Sequence, residues 1–155
     1  MTEIYRSSII FLYIHVDAVG GTFDPVGFSA FADYSDYYYP FQRINFHGVI
    51  SNIGNYYNEI ESWFICPKNG VYFFSLAIKS DDNYQSDYCI MQDDTRVATV
   101  AVDSNLHFPS SATFVVVECS YGQEMWVRAG NVSSYIIGTE VRESIFSGYM
   151  LYPYE

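Results

Sequence analysis

The side chains of this 155-residue chain best equipped for chemistry are His15, His47 and His107, Cys66, Cys89 and Cys119, and the aspartate pairs Asp81-Asp82 and Asp93-Asp94. The histidines lie far apart and have no metal-ligand spacing. No nucleophile elbow, HExxH or P-loop occurs. A His-x-His followed by a Glu and a later His, which holds the metal in some jelly-roll proteins, is missing. The chain therefore reads as a non-enzyme, its histidines structural or solvent-facing. Hard carboxylate oxygens suit calcium, which makes both aspartate pairs metal candidates, Asp93 and Asp94 foremost. Aspartate pairs are also ordinary turn residues, and "MQDDTR" reads as a hairpin tip. Three cysteines allow at most one internal disulfide, in any of three pairings. Each lies within an apolar run, so small buried hydrophobes are the expectation.

Binding chemistry is better represented. In "YSDYYYP", Tyr34, Tyr37, Tyr38 and Tyr39 fall in the loop after the first strand. An exposed tyrosine offers a rigid ring with a hydrogen-bonding tip, suited to stacking on a sugar or to protein contact. The same rings could instead pack on the edge of the fold or on a subunit interface. Asn131-Val132-Ser133 is an N-glycosylation sequon in a loop, meaningful in a secreted chain. The beginning, "MTEIYRSSIIFLYIHVDA", has a short apolar run after Arg6 and a small-residue site at Val16-Asp17-Ala18. Residues 1–24 are accordingly expected to be a leader, either a signal peptide or a short extension; Glu3 is unusual for the former. Ile9 to Val16 is too short to span a bilayer.

What must position these residues is a β framework. Aromatics make up 19% of the chain and charged residues 16%, a balance that favours pleated, half-buried surfaces and excludes a disordered chain. The net charge of −11 repels phosphate backbones and anionic lipid. Neither nucleic acid nor a membrane surface is an expected partner, and the scattered acids read as solubility. Turn residues recur between short runs rich in Val, Ile, Phe and Tyr, without any capped 3.6-residue period. The strands expected are Val26–Ala32, Phe41–Ile50, Ser62–Cys66, Gly70–Lys79, Asp87–Gln92, Arg96–Val102, Ala112–Cys119, Glu124–Ala129 and Ser144–Tyr152.

Three of these strands are apolar on both sides. In "NGVYFFSLAIKS", Tyr72, Phe74, Leu76 and Ile78 oppose Val71, Phe73, Ser75 and Ala77. In "TFVVVEC", Phe114 and Val116 oppose Val115 and Val117. In "SIFSGYMLY", Ile145, Tyr149 and Leu151 oppose Phe146, Met150 and Tyr152. A two-sheet sandwich buries only its inner faces, so a second cover is needed, and no helix is on hand. Covering several hundred Å² more would contribute roughly 10 kcal/mol before association costs. Another chain is the expected cover.

The segment "FHGVISNIGNYYNEIESWFICPKNGVYFFSL" resembles the aromatic signature of the complement C1q globular-head domain, a branch of the C1q/tumour-necrosis-factor superfamily. Phe46, Asn52, Tyr57, Phe64, Gly70, Tyr72 and Phe74 stand in register with that pattern, and Leu76 replaces its final aromatic. "VGFSAF", "GQEMWV" and "SIFSGYMLYPYE", the last carrying Phe146 and Tyr149, resemble the family's first, penultimate and closing strands. The resemblance covers residues 25–155 as one globular domain. It implies an all-β fold: a ten-stranded antiparallel jelly-roll sandwich that assembles as a trimer. The inner sheet would contain the doubly apolar strands and face the threefold axis. Calcium is bound by some relatives, near the axis or in apical loops. The Gly-X-Y stalk common in the family has no counterpart here, as in a head-only member or a fragment of a longer precursor.

By this resemblance the chain is a secreted homotrimer engaged in lectin-like innate immune pattern recognition. Its ligands would be carbohydrate or other microbial or altered-self surface molecules. The alternative is a cytokine- or hormone-like ligand for a cell-surface receptor, docked between subunits; a third reading is a matrix component.

Overall fold

The computed structural model describes residues 24–81, 85–103 and 109–154. All but Asp24 of the expected leader lies outside them, as do His15, Asp82 and His107. Among the described residues there are twelve strands and no helix, hence none able to cross a membrane. They are β1 (Gly27–Phe31), β2 (Asp36–Tyr38), β3 (Gly48–Ile53), β4 (Tyr57–Asn58), β5 (Trp63–Ile65), β6 (Gly70–Lys79), β7 (Ser86–Gln92), β8 (Thr95–Val102), β9 (Ser110–Cys119), β10 (Glu124–Ala129), β11 (Ser134–Ile136) and β12 (Ile145–Pro153). Ten of them form two five-stranded antiparallel sheets. The inner sheet has the order β3-β1-β12-β6-β9 and the outer sheet β4-β5-β10-β7-β8; β2 and β11 make a two-stranded ribbon. This is a jelly-roll sandwich, and the three doubly apolar strands assigned by resemblance to the inner sheet, now β6, β9 and β12, are in it.

The period-2 alternation of β6 decides its burial residue by residue: Tyr72, Phe74, Leu76 and Ile78 are buried between the sheets, and the intervening residues are only partly covered. An aromatic cluster fills the seam. Phe28 stacks on Tyr57 at 4.5 Å and on Phe64 at 5.1 Å, and meets Phe146 edge-on at 5.0 Å. Such ring pairs add to the transfer free energy of burial. Phe46, Tyr57, Phe64, Tyr72, Phe74 and Phe146, all signature positions, are buried core. Gly148 is required by this packing, since a Cβ there would lie 2.3 Å from the Phe74 ring and 2.9 Å from Phe28. Gly70 likewise approaches the Tyr152 carbonyl too closely for a side chain, at 2.6 Å.

The cysteines differ from expectation. Cys66, just after β5, is disulfide-bonded to Cys119 at the end of β9, and Cys89 alone is a free buried thiol. The bond ties the outer sheet to the inner one across 53 residues of chain.

Phe41–Ile50 is not one strand. Residues 42–44 lie along β10, with Ile44 N donating to Val127 O at 2.9 Å and Ala129 N to Gln42 O at 2.8 Å. The chain then crosses to the inner sheet, where β3 pairs with β1. A segment that changes sheets cannot keep one alternation, and Phe41 enters it at φ +68°. The closing strand has a second departure. A register shift between Met150 and Tyr152 leaves both Leu151 and Tyr152 exposed, so Tyr152 does not share the inward side of Phe146 and Met150.

Candidate functional site

The antiparallel registers put both ends of the described chain at one end of the sandwich. The β2–β11 ribbon, the ends of β6 and β8 and the starts of β7 and β9 lie at the other, here called the apex. Two surfaces have binding character: the outward face of the inner sheet, and the apical aromatic loop.

On the inner sheet, pairing aligns the outward side chains in rows. One row is Ile53, Gly27, Tyr149, Phe73 and Val116; the next is Ser51, Ser29, Ser147, Ser75 and Phe114; the third is Gly48, Phe31, Ile145, Ala77 and Ala112. Ser29 and Ser147 share a hydrogen bond of 2.8 Å. Phe73 contacts the Phe114 ring at 5.9 Å and the Tyr149 ring at 5.3 Å. Phe114 is 72% exposed, Val116 55% and Tyr149 47%, values far from those of core residues of the same types. Tyr149 is thus the signature position that points away from the seam.

At the apex the tyrosines separate by register. Tyr37 and Tyr39 are exposed and meet edge-to-face at 5.5 Å. Tyr34 is exposed, accepts a hydrogen bond from Asn45 Nδ2 at 3.3 Å, and lies 5.9 Å from the His47 ring. Tyr38 is turned into the core, 1% exposed, with its hydroxyl accepting from Asn45 N at 3.2 Å. Burial raises its pKa and keeps the phenol neutral. Tyr38 therefore leaves the set of surface-binding residues. Phe41 joins it: 60% exposed, in a left-handed backbone conformation, its ring over the Arg128 guanidinium at 4.9 Å. An exposed aromatic held at positive φ stores strain of the kind found at functional surfaces. Phe41 carries no sequence signal, because nothing in "YPFQR" announces its backbone angle.

Of the metal candidates, Asp93 is engaged by its own chain. Asp93, at φ +48°, accepts from Glu124 N and from Gln123 Nε2, both at 2.9 Å, and so fastens the β7–β8 turn to β10. Asp94 is exposed beside it. Among the described residues no group of three or more His, Cys, Asp or Glu side chains gathers around a common point. His47 Nδ1 faces Asp33 Oδ1 at 3.9 Å. Two clefts lie toward the end opposite the apex. One, of about 540 Å³, is bounded by Asn52, Asn55, Tyr56 and Glu59. The other, of about 460 Å³, is bounded by Lys68, Asn69, Tyr121 and Tyr154.

Two five-stranded antiparallel sheets, an aromatic seam and an uncovered inner face define the class: a jelly roll of the C1q and tumour-necrosis-factor type. Residues 27–151 match the family model of the C1q domain, and the chain belongs to that family. It is 27% identical over 111 residues to Complement C1q tumor necrosis factor-related protein 3 of Mus musculus, covering 70% of this chain and 44% of that one. The chain spans about half the length of the curated relatives it matches. The globular domain of zebrafish complement 1qA superposes with a TM-score of 0.64 at 17% identity, covering 83% of this chain and 99% of that domain. Eiger TNF from S. frugiperda superposes with a TM-score of 0.70 at 10% identity, over 86% and 96%. These two likenesses are of fold.

Proposed function

We propose that this C1q-domain protein is a secreted homotrimer that recognises surface carbohydrate, on microbes or altered self, through its apical aromatic loops. The observation that carries this reading is the outward face of the inner sheet. Phe73, Phe114, Val116 and Tyr149 form a contiguous apolar patch there, three of the four well exposed, and patches of this kind mark interaction surfaces. Copies of the same chain, paired face against edge around an axis, would remove it from solvent. Secretion is supported by the Cys66–Cys119 disulfide, because such bonds persist in oxidising compartments. Carbohydrate is supported by Tyr37, Tyr39 and Phe41, exposed rings that can stack on the apolar faces of sugars while the two phenols donate or accept hydrogen bonds. Three such loops on one particle convert a weak single contact into avidity for a repetitive surface.

The test joins light scattering to a glycan and microbial-ligand array, run with and without a calcium chelator. A particle of three chains whose array binding is lost in Tyr37→Ala/Tyr39→Ala is the expected result. A 17.8 kDa particle at micromolar concentration would remove the assembly. Saturable binding to a cell-surface protein, indifferent to competing sugars, would favour the signalling reading. Signal lost on chelation would bring calcium into the site.

A further inference from the structure

The turn between β10 and β11 is held in place by one carboxylate. Asn131 N donates to Asp87 Oδ2 at 3.1 Å and Val132 N to Asp87 Oδ1 at 3.2 Å. Gly130 fits against the same group so closely that a Cβ would fall 1.9 Å from Asp87 Oδ2. These contacts use backbone N–H groups only. The Asn131 side-chain amide projects into solvent from a bend outside any strand, and Ser133, two residues on, precedes β11. The two groups that an N-glycosylation sequon requires, the asparagine amide and the hydroxyl at the third position, are thus both spared by the fold. The sequence alone leaves the compartment open; the disulfide between Cys66 and Cys119 selects an oxidising one.

We infer that Asn131 carries an N-linked glycan, an assignment that rests on the secretion reading above. In the transfer, Asn131 Nδ2 forms a bond to the anomeric carbon of the first sugar. The bond from that carbon to the pyrophosphate of a lipid-linked oligosaccharide donor breaks, the lipid pyrophosphate leaves with the electron pair, and one amide proton passes to a base on the transferase. The modification reaches the chain before it is folded, so the folded state has only to leave room. It does. The glycan emerges at the apex, beside the aromatic loop, since Phe41 N donates to Gly130 O at 3.1 Å and β2 pairs with β11. The outward face of the inner sheet, with Phe73 and Phe114, belongs to other strands. The glycan therefore borders the proposed recognition surface and leaves the proposed assembly face clear.

The experiment expresses the full chain in insect or mammalian cells, separates medium from lysate, and follows mass before and after peptide-N-glycosidase digestion. The expected result is protein in the medium that falls in mass in one step on digestion, with Asn131 converted to aspartate in the peptide spectrum. Asn131→Gln and Ser133→Ala should each abolish the step, the second with the asparagine still present. Secreted protein with an intact, unmodified Asn131 would overturn the glycan assignment while leaving secretion standing. Protein confined to the cytosolic lysate and unmodified would overturn both.

Discussion

The outward faces of the two sheets are both rich in aromatic rings, yet they meet water in different ways. On the outer sheet, Arg43 lies between Trp63 and Trp126, its Cζ 4.6 and 4.8 Å from the ring centroids, and Arg128 stacks under Phe41. Trp126 Nε1 donates to Asp93 O at 2.9 Å, and Arg43 Nη1 to Glu61 O at 3.2 Å. The guanidinium planes cover the two tryptophan rings and one face of Phe41, which stays 60% exposed. On the inner sheet, Arg142 lies over the apical Phe31 ring at 5.1 Å, while Phe73 contacts the rings of Phe114 and Tyr149, both of which stay exposed. Lys79, the one cation of β6, is drawn to Glu143 at the apical end of the strand. The outer face is covered in part by its own chain, and the inner face is the one proposed for assembly. Aromatic content does not make the distinction; how far the cationic cover reaches does, since on the inner sheet it lies over Phe31 at the apical end and Phe114 and Tyr149 remain exposed.

The largest effect follows from putting charge on the uncovered face. Val116 lies next to Phe73 in the first of the outward rows, so Val116→Glu would bring like charges together in the proposed trimer, at a cost of several kcal/mol. The expected outcome in light scattering is dissociation to single chains whose circular dichroism is unchanged. Thr99→Glu, on the exposed outer strand β8, is the matched change and should alter stability by no more than about 0.5 kcal/mol. Equal behaviour of the two variants would erase the difference between the faces.

The disulfide comes next, because it links the two sheets. Replacing both Cys66 and Cys119 by Ala releases the constraint on a 53-residue separation, worth about 4 kcal/mol by chain-entropy arithmetic. Denaturant melts should show this loss in the wild-type assembly and in the Val116→Glu background alike. A loss seen only in the assembled form would mean that the bond serves the interface and not the sandwich.

High pH probes the seam that the faces share. Burial raises the pKa of Tyr88 from 10.0 to about 12, and raises those of Tyr38 and Tyr57 as well. Their hydroxyls are engaged, Tyr57 donating to Phe46 O at 2.7 Å and Tyr88 to Tyr135 O at 2.8 Å. A folded pKa above the unfolded one gives stability that is full below pH 10 and is lost as pH rises through the folded value. Thermal melts should hold up to about pH 10 and then fall, and Tyr88→Phe should flatten the decline. An unchanged profile in that variant would place the titrating group elsewhere.

How much of this contrast is legible before folding depends on whether local alternation survives. The expected Gly70–Lys79 and Glu124–Ala129 coincide with β6 and β10, because each stays in one sheet with one side inward. The doubly apolar character of β6, β9 and β12, and with it the uncovered face, follows from the same alternation. Residues 41–50 defeat it by crossing between sheets. Tyr37, Tyr38 and Tyr39 are identical in type, and only the pairing of β2 with β11 decides that the middle one turns in. The short strands β2, β4 and β11 are of two or three residues and carry no period. The disulfide partners lie on different sheets, so no spacing announces them. The Trp63–Arg43–Trp126 stack is likewise assembled from three separate segments.

That stack supplies the smallest and most discriminating measurement. Arg43→Ala removes two cation–π contacts and the approach to Glu61 Oε2 at 3.7 Å. Partly exposed contacts of this kind contribute about 0.5 to 1 kcal/mol each, and the salt bridge adds little at the surface. A denaturant midpoint lowered by a total of about 1 to 2 kcal/mol is expected, together with a blue-to-red shift in tryptophan fluorescence as Trp63 and Trp126 gain water. If the guanidinium is what makes the outer face self-sufficient, the variant should also become stickier, its apparent mass rising with concentration beyond that of the wild type. Wild-type mass behaviour in Arg43→Ala, with stability reduced as expected, would show that the outer face stays out of association for some reason other than its cationic cover.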